Sequence, residues 1–239
     1  AMTLASGTVV LRIFGSLTLQ AATVTTGTGA WFYAAYGVAS TFTSNTATFT
    51  PPLTIQAPTG TVTLADGFTQ PSTRTTTLTN GTLDLASYTL TTGLFSSTNS
   101  NTRVLAFGTG NITLTGVNTT IFDTTTVTGM TITGTPVVNC TATTGTSVQT
   151  RTFIAGALGE SQSISVNINP GTSAVDIFRL ATTSGAFKNV TFSSTFTGTV
   201  QISNTIIIYG SVTFGGATVY TGNSTLTFAA TSGTKTINT

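Results

Sequence analysis

Three consecutive segments decide the fold: AFKNVTFSSTFTG (186–198), TVQISNTIIIYG (199–210) and SVTFGGATVYTG (211–222). Each closes on a glycine, and Gly198, Gly210 and Gly222 lie twelve residues apart. Gly81 and Gly93 bracket a further segment of the same length. Within the segments apolar and polar residues alternate with a period of two, which is the side-chain period of a β-strand. Each unit therefore predicts one strand followed by one turn, with glycine at the corner.

Two all-β architectures have this spacing. One is an antiparallel β-sandwich or jelly roll, and the other is a right-handed parallel β-helix, or β-solenoid, in which two or three units form one coil. The solenoid is favoured because hairpin signals are rare, Asn80-Gly81 being the main candidate. Coils of about 20–25 residues would give about ten coils and a rod of about 50 Å. In this arrangement we expect the following residues to be buried: Phe192, Val200, Ile202, Val212 and Phe228.

The composition excludes several classes of protein. Charged residues are 5% of the chain and the net charge is +2, which leaves no electrostatic footprint for nucleic acid or for an anionic membrane. The hydrophobic content of 39% argues against a disordered threonine-rich stalk. No apolar run has the length of a transmembrane helix. Histidine is absent and Cys140 is the only cysteine, so an intramolecular disulfide, a Cys/His zinc site and a Ser-His-Asp triad are excluded.

Two regions differ in character. Residues 1–58 contain aromatic residues and three prolines, and because proline cannot donate to a β-ladder we predict a cap or linker strands there. Residues 59–239 are predicted to form the solenoid, which ends on a strand pattern and is expected to continue beyond the C-terminus. Helix-forming residues are scarce, and the best helical candidates are residues 30–40 and 153–161.

The aromatic run Trp31, Phe32, Tyr33 and Tyr36 is the most distinctive local feature. Flat aromatic faces can stack on sugar rings, so the run is a candidate ligand site. It is equally a candidate subunit contact or a hydrophobic plug at the end of the solenoid, since tryptophan and tyrosine are enriched at interfaces.

The acidic residues give little sign of catalysis. A glycosidase would need paired carboxylates about 5–10 Å apart, and the chain has only five: Asp66, Asp84, Asp123, Glu160 and Asp176. Asp66 with Asp84, and Glu160 with Asp176, could stack on neighbouring coils, but turn capping or a single salt bridge explains them more simply. We predict no catalytic residue, no metal site and no cofactor, and hence that the chain is not an enzyme.

Three stretches carry a family resemblance: LADGFTQPSTRTTTLTNGTLDL (64–85), NTRVLAFGTGNITLTG (101–116) and LTFAATSGTKTINT (226–239). They resemble repeat units of the Thr/Gly-rich β-solenoid proteins found in bacteriophage tail fibres, on virion surfaces and among bacterial surface adhesins. The resemblance implies a structural or adhesive role at a virion or cell surface, a homo-oligomer, most often a trimer, and host-surface glycan as a ligand. A bacterial adhesin is the alternative function, and a polysaccharide-degrading β-helix enzyme is the second alternative.

Overall fold

A computed structural model describes residues 2–117, 119–141, 148–169, 176–180, 185–215, 219–221 and 224–239. Gly222, one of the closing glycines of the repeat, lies outside these residues. Every strand pairing among the described residues is parallel. The predicted β-solenoid is therefore confirmed, and the antiparallel β-sandwich is excluded as the fold of this part of the chain.

Each coil has three faces, which the chain visits in the same order. Face 1 holds β2 (Leu11–Ile13), β5 (Trp31–Tyr33), β8 (Leu53–Leu64), β10 (Thr75–Asp84), β12 (Leu94–Ser96), β15 (Thr119–Asp123), β18 (Thr150–Ile154), β20 (Ile177–Leu180), β22 (Thr199–Ile202) and β25 (Val219–Thr221). Face 2 holds the second halves of β8 and β10, together with β3 (Leu17–Thr18), β6 (Ala39–Thr43), β13 (Arg103–Ala106), β16 (Met130–Thr133), the first half of β21 (Gly185–Phe192), β23 (Ile206–Ile208) and β26 (Leu226–Phe228).

Face 3 completes the coil. It holds β1 (Thr3–Gly7), β4 (Val24–Gly27), β7 (Thr48–Phe49), β9 (Phe68–Thr69), β11 (Thr89–Thr92), β14 (Asn111–Leu114), β17 (Val137–Cys140), β19 (Ile164–Ile168), the second half of β21, β24 (Val212–Thr213) and β27 (Ile237–Asn238). Ten strands stack on face 1, which matches the predicted number of coils.

The coils vary in length. One coil runs from Thr75 to its partner Leu94, and a later one runs from Thr119 to its partner Arg151, so the later coil is longer by more than half. Most paired strands keep a continuous register within each face, so the difference in length does not arise within the paired strands. The pairing of the strands is therefore kept on each face although the coils differ in length.

The core runs continuously through the stack. Alternate side chains of each strand point inward, and those that align from coil to coil pack on one another. The Phe122 ring lies between Phe95, at a centroid distance of 5.4 Å, and Phe153, at 4.4 Å, with both pairs stacked. The rings of three successive coils are therefore stacked in one continuous column.

The predicted core of the last coils is confirmed with one exception. Phe192, Val200, Ile202 and Val212 are all buried. Phe228 was predicted to be buried, but 39% of its surface is exposed. It aligns with the buried Ile208 and so has the inward register, but β26 is the last strand in the order of its sheet. A neighbouring coil therefore covers it on one side only.

The coils begin well before the boundary predicted at residue 58. β2 pairs with β5, β5 pairs with β8, and β8 itself runs through that position. The prolines that suggested a cap are accommodated because the carbonyl of proline can still accept a hydrogen bond. Trp31 N–H donates to Pro52 O at 2.9 Å, and Gly37 N–H donates to Pro58 O at 3.0 Å.

The glycines of the repeat allow neighbouring coils to approach closely. A Cβ atom on Gly210 would lie 2.3 Å from the carbonyl oxygen of Lys188, and one on Gly198 would lie 2.5 Å from that of Asp176. A Cβ atom on Gly81 would also lie too close to the backbone of a neighbouring coil. Gly81 in addition has a φ of +76°, in the left-handed region that favours glycine. The twelve-residue spacing thus marks corners where the backbones of two coils touch.

Neither helical candidate forms an α-helix. Residues 30–40 contain β5, and residues 153–161 contain the end of β18 and the start of η1, a single 3-10 turn at Glu160–Gln162. This turn takes the place of a strand on face 2, where Ile132 N–H donates to Gln162 Oε1 at 2.9 Å. Within the described ranges there is no helix of the length and apolarity needed to cross a membrane.

Arg103 is a fully buried cation that joins two loops of neighbouring coils. Its guanidinium donates to Ser97 Oγ at 2.6 Å and to the carbonyl oxygens of Asn101, Thr128, Ser97 and Thr126. Burial lowers the pKa of this guanidinium. Its N–H donors are directed at neutral acceptors and none at a carboxylate, so the side chain acts as a cross-link between loop backbones.

Candidate functional site

The aromatic run is divided by the alternation of β5. Trp31 and Tyr33 are buried in the core, where Trp31 packs edge-on against Phe49 at 5.0 Å. Burial also raises the pKa of the Tyr33 phenol. These two side chains are placed to pack the interior, and neither has a surface that a sugar ring could stack on.

The other two members of the run face outward. The Arg12 guanidinium lies 5.2 Å from the centre of the Phe32 ring, a cation–π distance. Tyr36 lies at the corner between faces 1 and 2 and is 73% exposed. Of the four predicted site residues, only Phe32 and Tyr36 are therefore available to a ligand or to another subunit.

Three aspartates cap turns. Asp66 accepts from the backbone N–H of Ser44 at 2.7 Å and from its hydroxyl at 3.1 Å. Asp84 accepts from Ala86 N–H at 2.8 Å, and Asp123 from Thr125 N–H at 2.9 Å. Asp84 is aligned with Thr63 and not with Asp66, because the two aspartates belong to different positions on the coil.

Asp176 belongs to a buried ion pair. It lies 3.3 Å from Arg151, and each side chain is only 1% exposed. Arg179, which is near Asp176 in the sequence, instead faces outward and donates to Gln201. Burial raises the pKa of the nearby Cys140 thiol, and the charge of Arg151 partly opposes that shift. The pair and the thiol are enclosed in the core, which keeps substrates away from them.

Glu160 holds the chain segment before β27. Its carboxylate accepts from the Thr231 hydroxyl at 2.7 Å and from the Thr231 N–H at 3.3 Å, although the two residues are far apart in the sequence. These hydrogen bonds, with smaller contributions from Lys235 and Lys188, lower the pKa of Glu160. Since the folded-state pKa is depressed, the tether is stabilising above the ordinary pKa and is lost as the pH falls through the folded value.

We expect the Thr231 amide signal in NMR spectra to titrate with a midpoint below about 4.3, the ordinary glutamate pKa. Glu160→Gln should abolish this titration, because the amide keeps an acceptor oxygen but has no proton to gain. A midpoint at or above the ordinary value would show that Glu160 does not bind Thr231 in solution.

A row of polar side chains runs along the outside of face 3. Its members are aligned by strand pairing from β11 to β24, and we call them the polar row: Thr91, Thr113, Asn139, Asn167, Thr191 and Thr213. Parallel pairing spaces them about 4.8 Å apart. Asn167 Nδ2 donates to Asn139 Oδ1 at 2.9 Å. The row presents hydroxyl and amide groups at a regular interval and no charge.

A groove lies beside the polar row, at the corner between faces 2 and 3 where η1 replaces a strand. The corner groove has a volume of about 250 Å³, and its lining is Gly134, Thr135, Pro136, Val137, Ser161, Ser163, Ser165, Lys188 and Asn189. Lys188 is the only charged residue among them. These residues could not be selected as a site from the sequence, because they come from three coils of unequal length and share no motif.

The described side chains include no cluster of three or more His, Cys, Asp or Glu residues that could hold a metal ion. No protein-family model, curated protein or solved structure matches the chain. The function is accordingly inferred from the geometry of the chain itself.

Proposed function

We propose that the chain is a structural and adhesive module of an extended fibre, such as a phage tail fibre or another virion-surface protein. The observation that carries the proposal is the uninterrupted stack of about ten coils with an uncharged polar exterior on face 3. A rod of this kind is extended by repeating one structural unit, and its sides offer a long surface for contacts with other molecules.

The use of the ionisable side chains supports a structural role. Four of the five acidic residues cap turns or tether a segment, and the fifth is in the buried Arg151–Asp176 pair. Of the seven basic residues, Arg103 and Arg151 are fully buried. The outer surface is correspondingly poor in charge, which favours lateral association of copies.

Assembly into a homo-oligomer, with a trimer as the expected state, is part of this proposal. The apolar residues Phe14, Tyr36 and Val38 are exposed on the first coils, and exposed apolar side chains are covered most simply by another copy. Sedimentation equilibrium of the purified chain measures the state directly. A trimer that dissociates in the Tyr36→Ser variant would support the contact, and a monomer at tens of micromolar would contradict it.

The test of the function is the location of the protein on its parent particle or cell. Antibodies against the purified chain are expected to label extended appendages in immunogold electron microscopy. Labelling of the cell interior alone would contradict the proposal. As a parallel arm, release of reducing ends from polysaccharides by the purified chain would favour an enzyme instead.

A further inference from the structure

We propose that the corner groove binds an anionic sugar residue, with its carboxylate or sulfate at the Lys188 ammonium and its hydroxyls at Ser161, Ser165 and Asn189. This inference rests on the proposed adhesive function and gives it a site and a ligand class. The groove lies where η1 projects from face 2 and leaves a recess beside β17, β19 and β21. The groove combines the Lys188 ammonium with several hydroxyl groups.

Lys188 is one of two described cations whose ammonium or guanidinium group has no hydrogen-bonded or aromatic partner. Arg74 and Arg103 donate to backbone carbonyls, Arg151 pairs with Asp176, Arg179 donates to Gln201, and Arg12 lies over Phe32. Among the described basic residues, only Lys188 and Lys235 make neither a hydrogen bond nor a ring contact. Lys188 lines the groove and Lys235 does not. The charge of the groove therefore favours an anion.

The nearby carboxylate does not cancel this preference. Glu160 accepts two hydrogen bonds from Thr231, and its charge is shared between Lys188 and Lys235. Its side chain is not part of the groove lining. The local balance of one carboxylate and two ammonium groups is positive.

The polar groups of the groove are positioned before any ligand arrives. Asn189 Nδ2 donates to Ser165 Oγ at 3.1 Å, and Asn189 Oδ1 accepts from Ser211 N–H at 2.9 Å. The Ser165 hydroxyl thus receives one hydrogen bond and keeps its own proton for another acceptor. Ser163 is buried and donates to Glu160 O at 2.8 Å, which anchors the floor of the groove to η1.

The shape limits the size of the ligand. A volume of about 250 Å³ is below the range of about 300–1,000 Å³ typical of drug-sized ligands, so a single sugar residue would fill it. Pro136 and Val137 supply an apolar surface against which the C–H face of a pyranose can pack. No aromatic side chain lines the groove, so we expect weak binding that depends strongly on the anion.

Binding can be measured by NMR titration of the full chain with sialyllactose, which carries a carboxylate, with lactose-3′-sulfate, and with neutral lactose. We expect one or both anionic sugars to shift the amide signals of Ser161, Ser165 and Lys188, and lactose to leave them unchanged. Comparison of the two anionic sugars distinguishes a carboxylate site from a sulfate site. Lys188→Ala should weaken the affinity about tenfold or more, as expected for loss of one charge-assisted hydrogen bond.

Lys235→Ala is the matched control, since it removes the other free ammonium and is expected to change the affinity by less than threefold. Equal weakening by both variants would indicate diffuse electrostatic attraction and would overturn the site. Binding of inorganic sulfate to wild type as tight as that of the sugars, or equal binding of lactose, would overturn the saccharide assignment. If no sugar binds while antibodies still label appendages, the groove proposal fails and the fibre function stands.

Discussion

Replacing Arg103 with methionine is expected to lower the free energy of unfolding by about 3–5 kcal/mol. Methionine fills much of the same volume but donates no hydrogen bond, so the carbonyls of Asn101, Thr126 and Thr128 lose the buried donor that links them. Urea unfolding followed by circular dichroism measures the loss. Because coils of a solenoid can open partly independently, amide hydrogen exchange at residues 97–101 and 126–128 should show the earliest increase.

Two control variants test whether the loss of stability comes from the hydrogen bonds of Arg103. Arg12→Met removes an exposed arginine whose contact is the Phe32 ring, and we expect a loss below about 1 kcal/mol. Arg103→Lys keeps the charge, but one ammonium cannot reach acceptors on both loops, so an intermediate loss is expected. An Arg103→Met protein with wild-type urea resistance would show that the loops hold together without this cross-link.

Replacing Phe122 with alanine is expected to cost about 3–5 kcal/mol, since it leaves a cavity between two rings in the centre of the stack. The Phe95 and Phe153 rings contact Phe122 from either side, and rigid coils above and below limit how far they can collapse into the space. The loss should appear in urea unfolding. Phe122→Leu should cost clearly less, because leucine refills part of the volume.

Phe32→Ala is the matched control for this prediction. Phe32 is on the same face as Phe122, but its side chain points outward, and its described ring contact is Arg12. We expect its loss to stay below about 1 kcal/mol. Equal destabilisation by the two variants would contradict the inward and outward assignment of face 1.

The fold was predictable because two local signals coincide. Alternation in segments such as TVQIS places Val200 and Ile202 on one side of a strand, and both are buried. Glycines twelve residues apart in the last coils mark corners where coils touch, as Gly198 and Gly210 show. Both signals act over a few residues, so a single sequence is enough to show them.

Other features depend on contacts between coils, which local patterns do not reveal. The prolines before residue 58 suggested a cap, yet Pro52 and Pro58 accept hydrogen bonds from the preceding coil and leave the stack intact. Strand alternation could have separated Trp31 and Tyr33 from Phe32, had the run been interpreted as a strand. The inward register of Phe228 was predictable, but its exposure depends on the position of β26 at the sheet edge.

The corner groove could not be predicted from the sequence for a similar reason. Val137 aligns with Ser165, and Asn189 reaches Ser165 through its side chain, but a whole coil of the chain separates the members of each pair. Because the coils differ so much in length, no fixed spacing exists from which such neighbours could be inferred. The partner of Asp176 could not be inferred from spacing for the same reason, because Arg151 lies one coil away in the chain.

The parallel stacking of coils determines how the rod responds to force. The inter-strand hydrogen bonds point along the axis of the rod. Tension applied to the two ends of the chain therefore pulls on the hydrogen bonds of one terminal coil at a time, and the bonds of all coils are not sheared together. One coil, such as the one between the paired residues Thr82 and Val104, would release roughly 75 Å of extended chain when it opens. Under sustained pulling the molecule would lengthen stepwise and dissipate energy, and an attachment that it mediates would yield gradually before it broke.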